Sequence, residues 1–559
     1  MNRRLANDPL ASSWAAGLRG SLRGYARAHL PEAMIPAHFV VLPELPKLPN
    51  GKVDRGSLPR PTAEESTETA YVAPRTPVET QLARIWQDLL GLPKVGVETS
   101  FFDLGGDSLT VLQMAAQVRD AYGVRLDLRR MFENPVVAQL ARMVGSQIDP
   151  QVSGDSNPRG VHTEAMLADS VLPADIAPGP DALPPSSGPY RHVLLTGGTG
   201  YTGAFLLREL LDRSTATVHV LVRAADPGQA RTRVLDNLTE YGLLREGDAE
   251  RIAGVPGDTG RPYLGTTRQD YRALAETVET VIHNAAISSW IVPYAKIKPV
   301  NVFGALEVLR LACDTRVKPV HFVSTIGVYP GDQGERRWDE ERLTETQDVV
   351  GGYRQSKWVA DTLMLQARER GVPTHVYRLG AVAGSQTTGA CSTDTFINHL
   401  LKGCIQLGAY LDYDLLIDLV PVDYCAAAVA RIALGGGHPE PVLNVPGAGS
   451  TSMNDIFQLV VDHGYPLRKL GYQDWYRELV AAVERGEENE LAVYLPLFGE
   501  DRPADEVGYP GARPVFGTAN LQAALAGSGI APRPVDRGLF DLYLDYFVAT
   551  GFLPAPPQS

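Results

Sequence analysis

Tyr353 and Lys357 stand four residues apart in Tyr353-Arg354-Gln355-Ser356-Lys357, a spacing that puts both on one face of a helix. A tyrosine beside an ammonium group can move a proton near neutral pH, because the positive charge favours phenolate. Upstream, Ser324-Thr325 closes the short apolar run Val320-His321-Phe322-Val323, and Thr325 can hydrogen-bond a substrate carbonyl oxygen. A second constellation is Thr196 to Gly203, TGGTGYTG. Gly197 permits a tight turn, Gly200 lets the backbone approach a pyrophosphate, and Gly203 lets a helix pack close to a strand. Together these residues suit hydride and proton chemistry on a bound dinucleotide.

The elements that must position them are legible. The glycine turn follows Val193-Leu194-Leu195 and precedes the helical pattern Ala204–Leu211, so the phosphates would meet a helix N-terminus. Strand patterns recur at Thr217–Val222, Ile252–Val255, Val281–Asn284, Val320–Val323 and His375–Leu379, with helical patterns between them. This alternation predicts an α/β fold with a doubly wound parallel sheet. Arg223 ends the second strand about twenty residues after the glycine turn, where a dinucleotide fold reads the adenosine ribose. An arginine there pairs with the 2'-phosphate of NADPH, and Arg233 can add a second contact.

The chain has 559 residues and a formal net charge of −13. Several domains are expected, and nucleic-acid binding is not. No apolar run reaches the length of a membrane span and no signal peptide is evident, which predicts a cytoplasmic protein. Cys313, Cys391, Cys404 and Cys425 are scattered. They read as buried free thiols, so no metal site is expected.

Residues 1–65 contain LPEAMIP and NGKVDR, which resemble the last two motifs of the adenylation domain of nonribosomal peptide synthetases. The resemblance implies a small α+β remnant without its nucleotide-binding core, so Lys52 reads as a solvated turn lysine. Residues 71–146 form the next unit. The amphipathic pattern Thr80–Leu90 ends at Gly91, and Phe101-Phe102-Asp103-Leu104-Gly105-Gly106-Asp107-Ser108-Leu109 leads into a further helix. FFDLGGDSL resembles the carrier domains of the same synthetases, implying an all-α four-helix unit whose Ser108 carries 4'-phosphopantetheine. A phosphopantetheinyl transferase is then an expected partner, as are upstream synthetase modules or an adenylation core. Residues 147–187, rich in Ser, Asp, Pro and Gly, read as a flexible linker.

TGGTGYTG, HNAA, ST and YRQSK resemble the extended short-chain dehydrogenase/reductase family. LVRAAD, GDTGRPYLG, GGYRQSKWVAD and YRLGAVAGS resemble, within it, terminal thioester reductase domains. The resemblance implies a thioester reductase domain over 188–559, with 188–385 mainly an NADP-binding Rossmann core and 386–559 mainly a smaller, mostly helical substrate subdomain. It assigns Thr325, Tyr353 and Lys357 as a catalytic triad, with Lys357 also on the nicotinamide ribose. It assigns Gly197, Thr199, Gly200, Tyr201, Thr202 and Gly203 to the cofactor phosphates, Arg223 and Arg233 to the 2'-phosphate, and Asp258 to the adenine. Asn284, Ala285 and Ala286 line the cofactor, and Leu379 to Val382 pass the nicotinamide.

The expected function is reductive release of a carrier-tethered peptidyl or aminoacyl thioester by NADPH, giving an aldehyde or, after a second hydride, an alcohol. A redox-inactive domain releasing its product by cyclisation would lack the tyrosine, which is present. A carrier and docking scaffold without catalysis does not account for intact glycine and YxxxK motifs. A sugar-nucleotide epimerase does not account for the carrier.

Overall fold

The structure of the protein, a computed structural model, describes residue 22 and residues 71–101, 104–106, 108–124, 126, 135–148, 158–186, 188–289, 292–330, 336–344, 349, 351–413, 415–498 and 515–557. Apart from Leu22, the adenylation-type remnant at 1–65, Lys52 included, lies outside the described residues. Two compact units divide between Asp155 and Ser156.

In the first unit, α1 (Pro77–Leu90) starts at Thr76, whose hydroxyl accepts from the Glu79 N–H, and stops at Gly91 in the left-handed region, φ 64°. Helices α2 (Ser108–Tyr122) and α3 (Val137–Ile148) follow. Leu82 and Trp86 of α1, Val111, Met114 and Val118 of α2 and Leu140 and Val144 of α3 share one core with Phe101. The indole of Trp86 meets Phe101 edge-on at 4.8 Å between centroids.

The second unit opens with α4 (Pro158–Asp169), then alternates strand and helix. In order these are β1 (His192–Thr196), α5 (Tyr201–Arg213), β2 (Thr217–Val222), α6 (Pro227–Glu240), β3 (Ile252–Pro256), α7 (Arg268–Thr277) and β4 (Thr280–His283). Next come α8 (Tyr294–Lys298), α9 (Gly304–Cys313), β5 (Val320–Thr325), α10 (Gly352–Glu369) and β6 (Thr374–Leu379). After these come β7 (Ala381–Ala383), α11 (Phe396–Leu407), β8 (Leu419–Pro421), α12 (Val422–Leu434) and β9 (Val442–Val445).

The main sheet has seven strands in the order β9-β6-β5-β4-β1-β2-β3. Every neighbouring pair in it is parallel. Both faces are covered, which is why its strands are nearly continuous apolar runs. One core joins the sheet to α5, α6 and α12; the other joins it to α7, α9 and α10.

Two expectations change. The division at 385/386 is not where the core ends, because β9 extends the main sheet and α12 packs in the same core as α5. The stretch 147–187 is not wholly a linker. Met166, Leu172 and Ile176 are buried in the core around α9 and α10. Arg370 donates to the carbonyls of Leu172 and Ile176 at 2.9 and 3.1 Å. Three widely spaced apolar residues cannot make a core of their own, but they complete another's, and that contact is invisible locally.

Helix α10 is fixed by an ion pair with no exposed atoms. Arg378 on β6 donates to both Asp361 carboxylate oxygens at 2.9 and 3.0 Å, and both side chains are 0% exposed. The remaining guanidinium donors reach the Tyr329 hydroxyl at 2.7 Å and the Glu341 carbonyl at 2.9 Å, while Ser324 donates to Asp361 at 3.2 Å. Removing one partner strands the other charge. We expect Arg378→Met to cost about 3–5 kcal/mol in urea unfolding of the reductase unit. The double change Asp361→Leu/Arg378→Met should cost less than the two single changes added. Unfolding of Arg378→Met at the wild-type urea concentration would show that the pair carries no such weight.

Candidate active site

The turn from β1 to α5 is made by backbone approaching backbone. Gly197 has φ 72°, and a Cβ there would lie 2.7 Å from the Ala285 nitrogen. A Cβ on Gly203 would lie 2.0 Å from the Gly197 carbonyl oxygen. Three polar side chains stitch the turn to its surroundings. The buried Thr196 hydroxyl lies 2.7 Å from His283 Nδ1 and accepts from the Ala285 N–H at 3.1 Å. Asn284 donates to the Gly197 carbonyl at 3.2 Å, and Asn237 on α6 to the carbonyls of Gly198 and Gly200 at 3.2 and 3.3 Å. Burial pushes His283 down to about 3, so it stays neutral.

Helix α5 starts after Gly200 with no side chain capping it. Its first N–H groups thus face the turn, and that geometry fits the pyrophosphate of a dinucleotide. Thr199 lies in this turn and Thr202 at the start of α5, both at intermediate exposure. Tyr201 departs from expectation. Its hydroxyl is engaged by the carbonyls of Ala383 and Ala390, each at 2.8 Å, so only its backbone is free for phosphate.

Arg223 is exposed just past β2, and Arg233 reaches back to donate to the Arg223 carbonyl. The Asp258 carboxylate closes its own turn, accepting from the Gly260 N–H at 3.0 Å with Arg261 at 3.7 Å. Ala285 and Ala286 follow β4 beside the glycine turn; Leu379 ends β6 and Val382 lies on β7.

Tyr353 and Lys357 occupy the first turns of α10. The start of this helix is packed tightly: a Cβ on Gly352 would lie 2.4 Å from the Val292 carbonyl oxygen. Thr325 ends β5, and its hydroxyl accepts from the Gly327 N–H at 3.1 Å, leaving its own proton to donate. Arg354 ties the two elements together, donating to the carbonyls of Gly327 and Tyr329 at 2.5 and 2.8 Å.

The electrostatics differ from the simple pairing of tyrosine and lysine. Lys357 donates to the Val323 carbonyl at 2.7 Å. Burial brings its ammonium down to about 7, against the pull of Asp361. Burial pushes the Tyr353 phenol up to about 12, and a hydrogen bond with Ser288 draws it back. The Ser288 hydrogen bond thus offsets part of the effect of burial on Tyr353, while the Lys357 ammonium is engaged by the Val323 carbonyl.

Sequence reasoning passed over Ser288, Asn237 and Asn301. Asn301 sits in a π-helical turn, Pro299–Phe303, between α8 and α9. Its amide accepts from the Ile287 N–H at 2.8 Å and donates to the Ser356 hydroxyl at 2.9 Å. Ser356 in turn donates to the Tyr353 carbonyl at 2.7 Å. The adjacency of Ser288 to HNAA was an available signal; the π-helical turn has none.

In the first unit, Ser108 is the first residue of α2. The loop before it is shaped by Phe101, since a Cβ on Gly106 would lie 2.2 Å from that ring, and Gly105 takes φ 94°.

The family described as male sterility protein matches residues 195–429, and the one described as phosphopantetheine attachment site matches residues 80–144. The chain is 33% identical to an isonitrile lipopeptide synthase of Streptomyces coeruleorubidus, over 96% of this chain and 37% of that protein. It is 32% identical to the L-2-aminoadipate reductase large subunit of Eremothecium gossypii, over 97% of this chain and 42% of that protein. The chain thus spans less than half of either relative. A crystal structure of the terminal R domain from the myxalamid PKS-NRPS biosynthetic pathway is 37% identical, with TM-score 0.65, over 71% of this chain and all of that one (100%). A thiolation-reductase di-domain from an archaeal non-ribosomal peptide synthetase shares the fold, with TM-score 0.63 at 22% identity, over 87% of this chain and 100% of that one.

Two outcomes follow for cofactor binding. A charge-assisted bond from Arg223 to a 2'-phosphate should favour NADPH over NADH by about ten- to a hundredfold. In calorimetric titration, Arg223→Asp should erase the difference; equal affinities in the native protein would refute the assignment. The second concerns Lys357, brought down to about 7 by burial. A dinucleotide's negative charge favours the ammonium form, so binding raises the lysine pKa and takes up a proton. Affinity should then fall as pH rises above about 7. Lys357→Met should flatten that profile; a flat profile in the native protein would place the lysine away from the dinucleotide.

Proposed function

Because the chain belongs to the carrier and terminal reductase region of nonribosomal peptide synthetases, we propose that it releases a peptidyl or aminoacyl thioester reductively from its own carrier. The observation that supports this reading is that Thr325 ends β5 while Tyr353 and Lys357 lie on α10, whose Lys357 donates to the Val323 carbonyl of β5 at 2.7 Å, within the fold that also holds the glycine turn. A nicotinamide cofactor, NADPH if Arg223 meets a 2'-phosphate, supplies the hydride when bound.

The chain's own residues do the rest. A phenol held at about 12 keeps its proton throughout the physiological range. Tyr353 is thus a hydrogen-bond donor to the thioester oxygen as negative charge develops there. Thr325, its oxygen already accepting from Gly327, has its hydroxyl proton for the same oxygen. Proton transfer from Tyr353 completes the hemithioacetal. Cleavage of its C–S bond then gives an aldehyde and the pantetheine thiol, and a second round would give an alcohol. Ser108 bears the 4'-phosphopantetheine arm, installed by a phosphopantetheinyl transferase, and upstream synthetase modules supply the acyl group in the cytoplasm.

Two variants read on two substrates test this proposal. Tyr353→Phe should lower reduction of both a carrier-bound thioester and a free acyl-pantetheine by about 10²- to 10⁴-fold while NADPH still binds. Ser108→Ala should abolish turnover of the carrier-bound substrate alone, since the free thioester needs no arm. Undiminished reduction by Tyr353→Phe would remove the tyrosine from the chemistry. Loss of both activities in Ser108→Ala would make that serine a structural residue.

A further inference from the structure

We propose that Asp169, in the segment that precedes the reductase sheet, is a positioning residue of the active site, acting through helix α8 on Ser288 and Tyr353. The inference rests on the reductase reading of that site. Asp169 ends α4, and its two carboxylate oxygens are divided between two residues of α8. Tyr294 donates to one at 2.8 Å and Lys298 to the other at 2.7 Å. The carboxylate is largely buried, with 18% of the side chain exposed. Tyr294 and Lys298 lie at the two ends of α8, so one carboxylate spans the whole helix.

A five-residue helix has little stability of its own. This one runs directly into the π-helical turn Pro299–Phe303, a rare element that occurs mostly as single turns and frequently at functional sites. Asn301 in that turn holds Ile287 by both backbone groups, accepting from its N–H at 2.8 Å and donating to its carbonyl at 3.1 Å. The next residue is Ser288, the hydrogen-bond partner of Tyr353. Asn301 also donates to Ser356, which bonds the Tyr353 carbonyl. At its other end α8 abuts α10 directly, since a Cβ on Gly352 would lie 2.5 Å from the Tyr294 nitrogen. Asp169 is in turn held in place by its neighbours: the Gln366 amide of α10 bonds the Ser170 carbonyl and the Leu172 N–H at 2.5 and 2.9 Å. The segment leading out of the carrier thus braces both the partner and the backbone of Tyr353.

The test uses the full chain with NADPH and a free acyl-pantetheine thioester. Asp169→Ala should lower kcat by about ten- to a hundredfold, as small misplacements of reacting groups do. KM for NADPH should be unchanged, because the glycine turn is untouched. Amide exchange at Ile287 should quicken. Asp169→Asn, which keeps an acceptor for Tyr294 and loses the ion pair, should fall between and guards against a misfolded alanine variant. In a Ser288→Ala background, Asp169→Ala should cost much less than it does alone. A wild-type kcat in Asp169→Ala, a loss fully additive with Ser288→Ala, or unaltered exchange at Ile287 would overturn the proposal. If the native protein reduces no thioester, the reductase reading fails, and the exchange at Ile287 still decides whether Asp169 holds that backbone.

Discussion

The position of α10 depends on a charge pair taken wholly out of water. Desolvating a carboxylate and a guanidinium costs several kcal/mol each, and is tolerated only where geometry and hydrogen bonding are nearly complete. Asp361 and Arg378 meet that condition, with Tyr329, Glu341 and Ser324 filling the remaining positions. The consequence is register. A shift of α10 by one residue would carry Asp361 to a different face of the helix and leave Arg378 buried without its partner. Lys357 lies one turn before Asp361, and Tyr353 one turn before that. The pair therefore fixes the register of Tyr353 and Lys357 against β5 and β6.

The second fixed point is the glycine turn, and it is held by exclusion as much as by attraction. Gly197 and Gly203 come so close to neighbouring backbone that any side chain would force the turn open. Thr196, Asn237 and Asn284 then satisfy the polar groups that the tight approach leaves over. A parallel doubly wound sheet collects both fixed points at the carboxyl ends of its central strands, because every β-to-α connection emerges there. The glycine turn after β1 and Thr325 at the end of β5 come to the same edge of the sheet because β1, β4 and β5 are consecutive neighbours.

Much of this was legible in the sequence where the signal is local. The glycine turn sits between its strand and helix as read, β2 matches its predicted span, and Tyr353 and Lys357 share a helix. The carrier serine begins a helix. What escaped is non-local. Met166, Leu172 and Ile176 are too sparse to show that residues expected as a linker join a core. Strand β9 is a short run between prolines that becomes a strand only beside β6. Tyr201, read within the phosphate turn, spends its hydroxyl on a loop far along the chain. YxxxK spacing suggests that lysine acidifies tyrosine, yet spacing along a helix does not say where an ammonium points. Here it points to the Val323 carbonyl.

That last difference bears on the proposed chemistry. A phenol at about 12 is a poor acid in water, and a mechanism needing phenolate at neutral pH would be handicapped by it. Reduction of a thioester makes the opposite demand. Hydride addition leaves an alkoxide on the former carbonyl carbon, a stronger base than phenolate. Tyr353 can then pass its proton to that alkoxide without first becoming a phenolate. What the step needs from the tyrosine is a retained proton and a fixed direction. Burial secures the first. The second comes from Ser288 and from the start of α10, locked against the 292–294 backbone. The raised tyrosine and the lowered lysine are thus two results of one cause, burial, in a site whose hydrogen bonds are made before the substrate arrives.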